Sequence, residues 1–352
     1  MNSAFGGGGG VRGVLGYIGV ALLVVILVNL LVRRLGGWKK LFRFVGRETK
    51  RTVRAFTEPI RARRRYKRRL RLLTSVLRDR ERWADAEQAI VAAAAVSPGM
   101  APYAVALAKE RIGVLLAGAS DLEPPAPWAA DPQDPRLWWI ARTDVPETGS
   151  VRELPLLVCA GIDTGGTTVI LLDLLAGPRI LSVYGVDRTA RAVVQAIAAQ
   201  LDVRLPVGAI EVADGIHPRH DGLPLEEAAR RLGAWFVVGA GPLPGPLPAG
   251  RRMVALGVAR GSSRLLEALP DQTLRLHGAA PWLRIDPLPL AKAVARSIRR
   301  LPPHEFESGV PFGPETTATE DLGDLELPAG SVGVSALTTD ETSTDRKAAS
   351  WS

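Results

Sequence analysis

The sequence predicts an α/β protein: a single N-terminal transmembrane helix, a basic helical stem, a cytoplasmic layered α/β domain, and an acidic tail. Three observations carry this. Residues 13–32, GVLGYIGVALLVVILVNLLV, contain no charge. The net charge of +9 is unevenly spread. From Leu154 to Leu301, short apolar strand-like runs alternate with helical patterns of 9 to 13 residues.

At about 1.5 Å per residue the uncharged run makes a helix of roughly 30 Å, the thickness of a bilayer's hydrocarbon core. Arg12 is the only charge before it, whereas Arg33, Arg34, Lys39, Lys40, Arg43 and Arg47 follow it. The positive-inside rule then leaves residues 1–12 as a short extracytoplasmic tail and puts the rest in the cytoplasm, as a single-pass protein of the cell membrane. A cleavable signal peptide would carry its cations before the apolar run and a small-residue cleavage site after it. RRLGGWKK offers neither.

Residues 33–98 read as the stem. Between Arg33 and Arg71 there are 17 Lys and Arg against Glu48 and Glu58, so the segment holds +15. Trp38, Leu41, Phe42, Val45, Val53, Phe56 and Ile60 recur at helical steps. A basic amphipathic helix beside the membrane, its six leading cations turned toward anionic lipid head groups of the bilayer, fits both facts. Pro59 is expected to interrupt it. The run RARRRYKRRLR (Arg61–Arg71) is also the kind of cluster that grips nucleic acid. No nucleic-acid-binding motif surrounds it, which disfavours that reading. Past Leu72 the helical spacing continues through Trp83 to Ile90, until Ser97, Pro98 and Gly99 stop it.

Residues 99–301 form the α/β domain, whose share of the charge is close to zero. PYAVALAKERIGVLLAG (Pro102–Gly118) alternates on either side of Lys109–Arg111 and reads as a hairpin. The Pro-rich stretch from Asp121 to Asp134 is irregular, and the short apolar piece Leu137–Ala141 brings Trp138 and Trp139 to the core. Two apolar runs flanking Asp163–Gly166 predict a second hairpin. Next come strand Ile180–Gly185, helix Thr189–Leu201, strand Ala209–Asp214, helix Leu225–Gly233 and strand Ala234–Gly241. RRMVALGVA, a short helix SRLLEAL, two strand pieces and the helix LAKAVARSIRRL follow. Strands alternating with helices imply crossovers and a largely parallel sheet preceded by β-hairpins. Residues 302–352 hold ten acids against Arg346 and Lys347 and are expected to be disordered.

Chemistry-bearing patterns are sparse. The lone Cys159 excludes a disulfide framework and, inside an apolar strand, reads as an inert thiol. His217, His220 and Asp221 offer a ligand-like spacing, but the Pro- and Gly-rich loop around them argues against a metal. VVGAGPLPGP begins like a dinucleotide fingerprint and then puts prolines where its helix belongs. No cofactor is expected.

The run from Val158 to Leu201, AGIDTGGTTVILLDLLAGPRILSVYG plus an Ala-rich helix, resembles the segment leading into the phosphate loop of membrane-anchored DNA-pumping and type VII secretion ATPases. More closely, PYAVALAKERIGVLLAG, PPAPWAADPQDPRLWWIARTDVP and ILLDLLAGPRILSVYGVD are similar to actinobacterial membrane proteins with one anchor and a cytoplasmic α/β body, whose motifs carry no known activity. In the ATPase register G-x-x-x-x-G-K-[ST], Gly185 takes the first glycine, and Ala190, Arg191 and Ala192 replace the second glycine, the lysine and the hydroxyl residue. The resemblance therefore implies a degenerate domain without a working phosphate loop. The expected function is a non-catalytic, membrane-anchored module that binds partner proteins of an envelope or secretion assembly. The alternatives are a nucleotide-binding ATPase-like protein and nucleic-acid binding through the stem.

Overall fold

The computed structural model describes residues 19–304, apart from 28, 31–37, 119–122, 147–153, 219–220, 244, 260, 262 and 280–282; in the stem helix, side chains are described from Thr57 onward. The acidic tail beyond His304 lies outside the described residues.

Helix α1 is described at residues 19–27 and 29–30, and α2 spans Trp38–Arg78. Among the described residues no helix is long and apolar enough to cross a membrane. Helix α2 is long enough, at roughly 60 Å, but is dense in cations. The single-pass anchor, the cell-membrane localisation and the outside-to-inside topology expected from residues 13–32 are accordingly set aside. Pro59 does not interrupt α2.

Helix α3 (Arg80–Val96) starts at Asp79, whose carboxylate accepts from the Arg82 N–H at 3.3 Å and so satisfies one of the unpaired amides of the first turn. The following strands are β1 (Ala101–Leu107), β2 (Arg111–Ala117), β3 (Ala129–Asp131), β4 (Asp134–Ala141), β5 (Leu157–Asp163) and β6 (Val169–Asp173). Then come β7 (Ile180–Gly185), α4 (Asp187–Arg204), β8 (Ile210–Val212), α5 (Leu225–Arg230), β9 (Phe236–Ala240) and β10 (Arg252–Leu256). Strands β11 (Arg264–Ala268), β12 (Leu274–Leu276) and β13 (Arg284–Asp286) precede α6 (Leu290–Ser297) and a short 3-10 turn (Ile298–Arg300).

Among the described residues thirteen strands join one sheet in the order β3-β4-β2-β1-β6-β5-β13-β12-β11-β7-β10-β9-β8. The sheet is mixed, which corrects the expectation of a largely parallel one. Only the block β11-β7-β10-β9-β8 is parallel, and every other neighbour pair is antiparallel. Hairpin turns explain the antiparallel arm. At β5–β6 the Asp163 carboxylate accepts from the amides of Thr167 and Thr168, closing the turn that the two glycines open.

The expected helix SRLLEAL is strand β11. Seven residues are too few to hold a helix without packing, and their true period is two: Leu266 and Ala268 enter the core while Leu265 and Glu267 stay part-exposed.

Both faces of the antiparallel arm are covered. Along β1, Val105 and Leu107 pack toward α2, α3 and α6, while Ala104 and Ala106 join the core under α4. Gln200 of α4 fills a break in the β5 ladder: its amide accepts from the Cys159 N–H at 2.8 Å and donates to the Cys159 carbonyl at 3.0 Å. In the parallel block, α4 covers Leu181, Val183, Val238 and Val254. On the opposite face, α5 covers Ala213 and Val237, and the loop around Leu247 covers Met253 and Ala255.

Candidate functional site

In the parallel block, β7 and β10 are neighbours whose onward connections run in opposite directions. The chain leaves β7 through α4 to reach β8, beyond β10 and β9, and leaves β10 to reach β11 on the other side of β7. In open α/β sheets, ligands bind outside the carboxyl ends of such a pair. That places the candidate site where the resemblance to the ATPases placed it, at the end of β7.

The connection there is too short for a phosphate cradle. Strand β7 ends at Gly185 and α4 begins at Asp187, with Val186 alone between them. Gly185 has φ +104°, which favours glycine, and a Cβ on it would lie 2.1 Å from the Ala268 carbonyl oxygen. Its bareness is used for close packing of two strands and not for the approach of an anion. The Val186 N–H donates to the same Ala268 carbonyl at 2.9 Å, and its own carbonyl accepts from Thr189 and Ala190. The amides of Val186, Thr189 and Ala190 are thus turned to the strand and the helix instead of to a phosphate.

The sequence-predicted positions fall accordingly. Ala190 is buried in the second helical turn, facing the core, and Ala192 points to solvent. Arg191 donates to the Gly215 carbonyl at 2.5 Å and lies 3.6 Å from the Asp187 carboxylate, one turn back. Its charge is engaged by the β8 loop and by an anion that would repel phosphate. Asp214 is exposed and its amide donates to the Leu223 carbonyl.

The remaining candidates are not assembled. His217 and Asp221 are exposed, His220 lies outside the described residues, and among the described residues no three His, Cys, Asp or Glu side chains group as metal ligands. Cys159 is fully buried, and burial pushes its thiol up to about 12, the opposite of what a nucleophile needs. Arg33 and Arg34 lie outside the described residues, while Lys39, Lys40, Arg43 and Arg47 lie in α2 where side chains are not described.

Two groupings remain: one escaped the sequence, and the other was named there as the Arg61–Arg71 run without the α6 cations packed near it. The first lies on the outer face of β7, β11 and β12. His277 Nε2 is 2.9 Å from the Tyr184 hydroxyl and 3.2 Å from Glu267 Oε2, and Glu267 also pairs with Arg275. Burial, and next the Glu267 carboxylate, hold the Tyr184 phenol above the usual tyrosine range, so it is no activated nucleophile. The parallel β7–β11 pairing sets Tyr184 beside Glu267 on one face. Nothing in the sequence brings His277 to them, because that needs the β11–β12 pairing.

The second is cationic. From Arg61 to Arg71, α2 exposes seven Lys and Arg side chains, and its remaining cation, Arg69, is pulled inward onto Asp286. Arg61 and Arg65, Arg64 and Arg68, and Lys67 and Arg71 are like-charge neighbours one turn apart, each pair costing about 0.2–0.5 kcal/mol in an isolated helix. No acid lies between Pro59 and Arg78 to relieve them. Helix α6 packs beside α2, with Arg78 donating to the Arg296 carbonyl, and exposes Lys292 and Arg296, while the 3-10 turn after it exposes Arg299 and Arg300.

Comparison with known proteins gives no family model, no curated protein and no solved structure that matches this chain.

Proposed function

We propose that this chain is a non-catalytic module that binds partner proteins, built on a mixed sheet whose parallel block has lost the means to hold a nucleotide. One observation carries the reading: a single residue separates β7 from α4, and that residue's N–H is spent on the Ala268 carbonyl. A nucleotide-binding protein would keep several free amides and a lysine at this point. Here a buried methyl and an engaged arginine stand in their place. The resemblance of Val158–Leu201 to secretion and DNA-pumping ATPases makes an envelope or secretion assembly the first place to look for the partner.

The test is covalent crosslinking of the full chain in its native cells, followed by mass spectrometry. The reading expects a recurring set of crosslinked proteins whose contacts map to surface positions of residues 101–300. Crosslinks confined to the chain itself, together with turnover of nucleotide by the purified protein, would overturn it.

A further inference from the structure

We infer that the exposed cations of α2 and α6 lie against a surface of anionic lipid head groups, with helix α1 entering the head-group region. This inference stands on surfaces separate from the β7 crossover and does not depend on the partner-protein reading.

Two independent observations support it. The first is charge. The seven cationic side chains between Arg61 and Arg71 are exposed, whereas α2 meets the body through Leu70, Leu73, Val76 and Leu77. They are ordered into a helix that their mutual repulsion opposes, and α6, packed against α2, adds further exposed cations. Such an array is stabilised by a partner that supplies many negative charges together. Arginine dominates it, and the planar guanidinium fork suits phosphate oxygens in pairs.

The second is apolar. Along α1 the side chains Val20, Leu22, Leu23, Val24, Val25, Ile26, Leu27 and Leu30 are 53–63% exposed, on every side of the helix. Soluble surfaces rarely carry contiguous apolar area of this kind uncovered. Duplex nucleic acid or an acidic protein would satisfy the cations and leave α1 in water. A lipid surface accommodates both, since apolar helices bury into the boundary beneath the phosphates while neighbouring cations meet the head groups.

The experiment is co-sedimentation of the full chain with vesicles of phosphatidylcholine alone and of phosphatidylcholine mixed with phosphatidylglycerol. The same measurement is made on the variant Arg61→Gln/Arg64→Gln/Arg65→Gln/Arg68→Gln, whose four side chains are exposed, with circular dichroism to verify that it folds. Anionic vesicles should bind the native chain at least about ten-fold more tightly than neutral ones, because each cation close to such a surface contributes favourably. The preference should shrink as salt rises and disappear in the variant. Equal binding to both vesicle types, a preference retained by the variant, or tighter binding to duplex DNA than to anionic vesicles would overturn the inference.

Discussion

Arg204, at the end of α4, is almost fully buried and places its Nη2 2.7 Å from the Glu87 carboxylate of α3. Its guanidinium also lies 4.3 Å over the Trp83 ring, and it donates to the carbonyls of Leu157 and Pro302. One side chain therefore ties two helices, β5 and the end of the described body. Burial depresses the arginine's proton affinity and the Glu87 charge opposes that effect, so the cation depends on its partner. Removing one member of a buried pair leaves an uncompensated charge, at a cost of about 3–5 kcal/mol. Glu87→Gln should lower stability by that order in urea unfolding, and Arg204→Met combined with Glu87→Met should lose less than the two single variants added together. Full additivity would mean that the pair is not coupled.

His304 rests on the same cluster. Its N–H donates to the Arg204 carbonyl, and burial, followed by the nearby Arg204 charge, lowers its imidazole pKa to about 4. The ordinary unfolded value is about 6.5, so below that pH the unfolded chain binds the proton more readily. Stability is then unaffected by this group above about pH 6.5 and falls as the pH drops from there toward 4. Thermal unfolding followed across that window should show the loss, and His304→Asn should flatten it. An unchanged slope in the variant would assign the acid sensitivity elsewhere.

Much of the fold was legible where pattern and packing agree. Tyr103–Leu107 and Ile112–Leu116 alternate and pair as read, since a hairpin needs only neighbouring residues and a turn. The parallel crossovers were overextended because periodicity identifies strands but not their partners. Strand β13 inserts between β5 and β12, a contact more than 100 residues away in sequence that makes that part of the sheet antiparallel. SRLLEAL misled for a related reason: Leu and Ala favour helix locally, and pairing with β7 and β12 overrides the propensity. At the site, the departures at Ala190, Arg191 and Ala192 were visible in the sequence. The closure by Ala268 was not, because it requires β11 to lie beside β7.

Gly185 offers a direct check on that closure. In Gly185→Ala the new methyl meets the Ala268 carbonyl and the backbone must hold a positive φ with a side chain present. The variant should lose about 2 kcal/mol or more in chemical denaturation. Retained stability would mean that β7 and β11 are not packed this closely.

Cys159 should behave as a core atom. In the native protein it should resist a soluble thiol reagent at neutral pH and react only once the chain is unfolded in denaturant, because its buried thiol holds its proton to about 12. Rapid labelling of the folded chain would show that β5 opens to solvent.

The closed crossover is tested most directly by isothermal titration of the full chain with Mg-ATP. With Val186 spent on Ala268 and Arg191 engaged by Gly215 and Asp187, no binding heat is predicted at millimolar nucleotide. Micromolar affinity that disappears in Arg191→Ala would contradict the account, since it would require the end of β7 to open and Arg191 to turn toward phosphate.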